Sequence, residues 1–276
     1  MSTSTTQQQI QANQRFAPSN LLTVIAIAII AYAADDTVHE LIGHGTIALF
    51  LKIKILAIAT VGLQTAESNR LVAAAGAVAN VVAGVIGLLL VRRSHGSASW
   101  RYFLWLFGFL NLMNGTGYLM ASALLNSGDW AVVIAGLQPP LLWRGGMGLI
   151  GLCLFAASIR WATTTMIAMI REGSVNPRDI ARLTVPAYFA GGFLFVVASV
   201  FNPYGRAFIL PSGAGASFGI TFGLLLIPGM VKNAAYRHQE AEQEPASLAF
   251  SKSWIFAGAL VGAIFIGIFG RGILLP

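Results

Sequence analysis

The amino-acid sequence predicts an all-α polytopic membrane protein of about seven transmembrane helices, with a short interfacial β-hairpin after the first. Three observations predict it. Hydrophobic residues fill 56% of the 276 positions and charged residues only 10%, against roughly 25% charged in soluble domains. A soluble fold of this length has no interior large enough to hide so much apolar surface, so the remaining solvent is lipid. The apolar residues also fall in runs of the length a bilayer core demands, about 20 residues per helix. Finally, 17 Phe, 6 Trp and 30 Gly suit helices whose interfaces are filled by aromatics and drawn close by small residues.

Residues 1–19 are polar, rich in Ser, Thr and Gln, with Arg15 their one charge. They are expected to form a disordered tail, and the apolar run after them is too long for the core of a signal peptide. Residues 20–276 are expected to form a single transmembrane domain, with spans at roughly 21–51, 71–91, 102–126, 145–170, 184–202, 214–231 and 253–271. Polar punctuation separates them, as in Arg92-Arg93-Ser94-His95-Gly96, Arg171-Glu172-Gly173-Ser174, Asn202-Pro203-Tyr204-Gly205 and Lys232 to Glu244. Lys52 to Thr65 alternates and is rich in Ile, Leu and Val, which predicts a short hairpin or edge strand at the interface. Leu137-Gln138-Pro139-Pro140 cannot continue a helix, because proline has no N–H to give. The segment 130–143 is therefore read as an interfacial or re-entrant piece. Cys153, the single cysteine, has no intrachain disulfide partner and reads as a small packed hydrophobe.

The net charge of +7 places basic residues in loops that set orientation, and no nucleic-acid partner is expected. Seven crossings from the N-terminal side give that side Arg15, Arg92, Arg93, Arg101, Arg171, Arg178, Arg182, Lys232, Arg237 and Lys252. The far side receives Lys52, Lys54, Arg70, Arg144, Arg206 and Arg271, with Arg160 left inside a span. The excess predicts a cytoplasmic N-terminus in a plasma (inner) membrane.

Ionisable residues inside a bilayer are costly and point to function. Most acidic residues lie in polar loops; Asp35, Asp36, Glu40 and Asp129 do not, and His39 and His44 flank Glu40 in the first span. A zinc hydrolase motif H-E-x-x-H sets two histidines four residues apart on one helical face, with the glutamate as general base. Here His39 and His44 are five apart, about 140° around a regular helix. A π-bulge, whose bonds run i→i+5, returns them to one face; a break at Gly43 is the alternative. A buried hydrogen-bonded cluster is the plainer reading of these residues. Five acids and imidazoles within ten residues of a span favour a metal.

Zinc needs a third protein ligand and an open position. Asp129 follows the third span, and His39 lies about 27 Å along the first helix from Leu21, so both arrive at the same side of the membrane. Glu67 is the alternative ligand. Asp35 and Asp36 are expected to orient a histidine N–H or to cap a helix end. Asn80, Asn111 and Asn114 are expected to line the substrate cavity or to hydrogen-bond between helices.

His39-Glu40-Leu41-Ile42-Gly43-His44-Gly45 resembles the H-E-x-x-H helix of the site-2 protease family with one residue inserted. Gly76 and Asn80 are similar to that family's G-P-x-x-N helix, with Ala77 in place of proline, and Asn111 to Asp129 is similar to its later ligand helix. Gly128-Asp129-Trp130 stands where the family has Leu-Asp-Gly. The resemblance covers residues 21–135, the expected catalytic core, and its departures place the chain in a divergent branch. It implies an intramembrane metalloprotease in which His39, His44 and Asp129 hold Zn²⁺ and Glu40 is the catalytic base. The implied partners are membrane lipid and a transmembrane or membrane-proximal protein substrate. Two other classes use the same residues: a proton- or cation-coupled transporter or channel, and a non-hydrolytic metal-binding scaffold.

Overall fold

The computed structural model describes residues 18–202, 209–235 and 246–276. The expected tail up to residue 17, the Pro203-Tyr204-Gly205 turn and most of the loop after Lys232 lie outside the described residues.

Helix α1 runs Leu21–Phe50. The Asn20 side chain caps it by accepting from the Thr23 N–H at 3.1 Å. It is regular to Thr37, π-helical over Val38–Gly45, and α-helical again over Thr46–Phe50. Strands β1 (Ile55–Ala59) and β2 (Gly62–Thr65) follow as an antiparallel hairpin, as the alternation predicts. Helix α2 (Arg70–Arg93) is capped by Asn69, and α3 (Ala98–Leu125) by Ser97. α3 stops at Asn126, whose φ of 52° ends the helix in the left-handed region. The short helix α4 (Asp129–Ile134) and the long α5 (Pro140–Arg171) come next. The 130–143 stretch is thus a short helix plus the first turn of α5, and Pro140 opens α5 where a missing N–H costs nothing. One 3₁₀ turn (Pro177–Asp179) leads into α6 (Ile180–Val200). A π-helical segment (Ile209–Gly219) precedes α7 (Gly223–Ala235). Helix α8 (Lys252–Ile264) widens into a π turn at Phe265–Phe269 before strand β3 (Ile273–Leu274).

Six helical segments among the described residues are long and apolar enough to cross a membrane, and the chain is an integral membrane protein of all-α class. The seventh expected span is α3, long enough at 28 residues but less apolar. Its polar residues are accommodated because it runs through the middle of the bundle, packed against α1, α2 and α5. Buried Trp105, Phe109, Leu110 and Met113 on α3 form much of the core, and the Trp105 indole donates to the Ala162 carbonyl of α5 at 2.9 Å. Outward faces are apolar instead, as lipid requires: Val78, Val82 and Ile86 on α2, Leu149 and Ile150 on α5, Phe256 and Leu260 on α8. Cys153 corrects its expectation of packing. It is exposed, because the opposite face of α5, through Gly151 and Phe155, is the one that meets α3.

The two ends of the bundle are tied differently. At one end, buried Asp179 accepts from the Ser19 N–H (2.7 Å) and hydroxyl (2.6 Å), anchoring the entry to α1. Ser19 is therefore part of the fold, although the polar composition placed it in the tail. At the other end β3 pairs antiparallel with β1, giving the sheet order β2-β1-β3. The Phe269 carbonyl accepts from the Thr60 N–H at 3.0 Å and the Asn202 amide donates to the Thr60 carbonyl at 3.3 Å. The ends of α6 and α8 thereby hold the hairpin against α1.

Candidate metal centre

The extra residue between His39 and His44 is absorbed by the π-helical turn Val38–Gly45. Bonds of i→i+5 type align residues five apart, and the two imidazoles stand edge to face with centroids 4.7 Å apart. The helix does not break at Gly43. That glycine serves packing: a Cβ there would lie 2.5 Å from the Cα of Gly76, so the α1 and α2 backbones touch. Gly76 serves the centre itself. A Cβ on Gly76 would lie 2.6 Å from His44 Nε2 and 2.7 Å from His39 Nε2, filling the space between the two nitrogens.

Asp129 enters that space from the first turn of α4, 90 residues from His39 in sequence. Its Oδ2 lies 3.0 Å from His39 Nε2 and 3.3 Å from His44 Nε2. One donor atom from each of the three residues fits within 4.8 Å of the others, so the group can hold a metal ion. Bonds of about 2.0–2.1 Å at tetrahedral angles put ligand atoms roughly 3.3 Å apart, close to the two separations seen here. Glu67, the alternative ligand, is exposed and does not join them.

The far side of each imidazole is fixed. His39 Nδ1 lies 2.5 Å from Asn80 Oδ1, and His44 Nδ1 lies 2.6 Å from the Val72 carbonyl. Both partners accept, so both Nδ1 atoms carry the proton and both Nε2 lone pairs face the centre. The Asn80 amide cannot flip. Its Nδ2 donates to Asp35 Oδ1 at 2.9 Å and to Asn111 Oδ1 at 2.9 Å, and Asn114 donates to the other oxygen of Asp35. Asn80, Asn111, Asn114 and Asp35 thus form one buried network behind His39, not a cavity lining. Asp36 points elsewhere, accepting from the Val61 N–H at 3.0 Å. Val61 turns the hairpin with φ 52°, a conformation a β-branched residue rarely adopts, and Asp36 helps to hold it.

No family model, no curated protein and no solved structure matches this chain. Glu40 is buried beside His39, and among the described residues its Oε2 has no hydrogen-bond partner. An orphaned carboxylate oxygen in such a place is costly and calls for a proton or a water. Asp129 Oδ2 faces both Nε2 lone pairs, and three electron-pair donors turned on one point are the arrangement a cation completes. The donor set, the gap kept by Gly76 and the orphaned oxygen together fit a metal with an open coordination position.

His39, Glu40, His44 and Asp129 lie on the wall of one cavity of about 790 Å³. Strand β2, at the edge of the sheet, forms another part of that wall, and Tyr118 and Ser122 of α3 a third. Composition and motif spacing do not single out Tyr118. The available signal is its helical register, seven residues after Asn111 and so on much the same face of α3.

Proposed function

We propose that this protein is an intramembrane zinc metalloprotease of a divergent site-2 protease-like branch, hydrolysing peptide bonds in or near membrane-spanning substrates. The observation that carries the reading is the buried, unpartnered Glu40 oxygen beside a two-histidine, one-aspartate cluster on a cavity wall. His39, His44 and Asp129 would hold the ion. Zinc supplies a Lewis acid and lowers the pKa of a bound water towards ~7.

The chain's own residues do the rest. Glu40 accepts the proton of the attacking water. The water oxygen bonds to the carbonyl carbon while the C=O π pair moves onto oxygen. The oxygen pair then re-forms C=O as the C–N bond breaks, its electrons leaving with the nitrogen, to which Glu40 returns its proton. A transmembrane substrate must unwind for this, because a helix hides its carbonyls. The edge of β2 on the cavity wall offers an unwound segment backbone pairing, with side-chain pockets on alternate residues. The site sits at the sheet end of the bundle, opposite Ser19 and Asp179. With the N-terminus in the cytoplasm of a plasma membrane, as the basic residues suggest, cleavage takes place towards the outer face.

The test is metal content plus one substitution. Purified protein should carry about one zinc per chain and cleave fluorogenic apolar peptides in micelles. Glu40→Gln keeps the shape and removes the basic oxygen, so zinc stays bound while turnover falls ~10² to 10⁴-fold. A proton or cation relay would show flux and no cleavage in either form. Cleavage that survives Glu40→Gln unchanged would place the base elsewhere.

A further inference from the structure

The hydrolase reading leaves one requirement unmet. When water adds to a peptide carbonyl, the oxygen becomes an anion, and hydrolases place a fixed hydrogen-bond donor where that charge develops. Among the described residues no Lys or Arg lines the cavity. Gln64, Ser68 and Ser127 line it from exposed positions, the Thr65 hydroxyl donates to the Glu67 carbonyl at 2.8 Å, and Asn69 is engaged as the cap of α2. On the α3 wall beside the ligands stand Tyr118 and, one turn on, Ser122.

Tyr118 is built into the centre from two directions. Its ring stands edge-on to the His39 ring, with centroids 5.5 Å apart and planes at 84°. Its hydroxyl reaches the turn that delivers Asp129: a Cβ on Gly128 would lie 2.9 Å from it. Gly128 has φ 80°, so glycine is favoured there on conformational grounds, and its missing side chain is also what leaves room for the hydroxyl. The phenol is bracketed between the ring of one ligand and the residue before another, yet among the described residues nothing hydrogen-bonds it. Ser122 Oγ is buried close by, also without a partner, 3.4 Å from the same Cβ position. The unpaired Ser122 hydroxyl is costly to bury unless something completes it, while half-buried Tyr118 lines the cavity where a ligand can reach it.

We propose that Tyr118 is a catalytic residue whose phenolic O–H donates to the carbonyl oxygen of the scissile bond as that oxygen becomes anionic. This rests on the hydrolase reading. The phenol is neutral and forms no bond to the substrate beyond this one. Its proton stays on the tyrosine throughout, and the proton that reaches the leaving nitrogen is the one Glu40 holds. A rigid ring with a single polar atom at its end places that donor without the entropy cost of a lysine or arginine arm.

Tyr118→Phe separates the hydroxyl from the ring. The phenyl keeps its contact with His39, so zinc per chain and thermal midpoint should match the wild type. Turnover should fall by about 10²-fold with little change in KM, the pattern of an interaction made only in the transition state. A binding measurement free of turnover checks the same point. A phosphinic peptide, whose tetrahedral P–O⁻ stands in for the oxyanion, should bind Tyr118→Phe about 10²-fold more weakly. The parent peptide should bind Glu40→Gln and Glu40→Gln/Tyr118→Phe equally well. Wild-type turnover and phosphinate affinity in Tyr118→Phe would overturn the proposal, as would loss of zinc, which would make the tyrosine a mere support for His39. If the wild type cleaves and Glu40→Gln does not, these failures belong to Tyr118 alone. If neither cleaves, the hydrolase reading falls and takes the proposal with it.

Discussion

Replacing Gly76 with alanine adds one methyl group to the space between the two imidazoles. That carbon would sit 2.6 Å from His44 Nε2 and 2.7 Å from His39 Nε2, whereas ordinary contact begins near 3.4 Å. Restoring it would require His44 to retreat by 3.4 − 2.6 = 0.8 Å and His39 by 3.4 − 2.7 = 0.7 Å. Neither ring is free to do so, since Asn80 holds one Nδ1 and the Val72 carbonyl the other. Metal sites tolerate roughly ±0.2 Å in ligand distance, several times less than the shift demanded. Zinc affinity should therefore fall more than ~10²-fold, with a stability cost of about 1–3 kcal/mol from overpacking. Gly87→Ala is the matched control. Its Cβ would meet Gly108 Cα at 2.7 Å, a clash of similar severity on the same helix, but against α3 instead of α1 and three helical turns from the centre. Both variants should lose thermal stability in detergent, and only Gly76→Ala should lose zinc, read by elemental analysis and by the chelator concentration that strips it. Full zinc retention in Gly76→Ala would mean that the ion does not lie between these nitrogens.

The remaining expectations bear on the same centre. His39→Ala and His44→Ala should each abolish stoichiometric zinc, and full retention in the double variant would end the metal assignment. Asn80→Ala leaves His39 Nδ1 without its acceptor and should weaken zinc by ~10 to 10²-fold, the usual effect of losing a partner behind a ligand; an unchanged chelator titration would show that the network behind His39 is purely architectural.

The architecture was legible because lipid imposes a coarse rule that long apolar runs satisfy one by one. The hairpin was legible from alternation between Lys52 and Thr65, and the deformation of α1 from a spacing of five where four is needed. Asp129 was legible because helix counting brings it to the same side as His39. What escaped were features made by approach in space. Nothing in the sequence says that Gly76 faces two imidazoles, that Ile273–Leu274 returns to pair with β1, or that Asn80 and Asn114 converge on Asp35, with Asn111 bonded to Asn80, rather than on the cavity. Cys153 was misplaced for a related reason: an apolar run reads alike on its packed and lipid faces. The third span shows the converse, since α3 gains from its polar residues by standing at the centre, where neighbouring helices satisfy them.

The strand pairing at Ile273 and Leu274 bears on how the molecule is made. His39 leaves the ribosome 90 positions ahead of Asp129, and strand β1 of the hairpin that walls the cavity gains its second neighbour only when β3 arrives. Synthesis therefore delivers the pieces of the centre early and the frame that holds them late. A half-made chain threading into the membrane beside other nascent helices carries no finished pocket. A proline at Ile273 or Leu274, which removes an N–H from the β1–β3 edge, would interfere at the step where that frame closes.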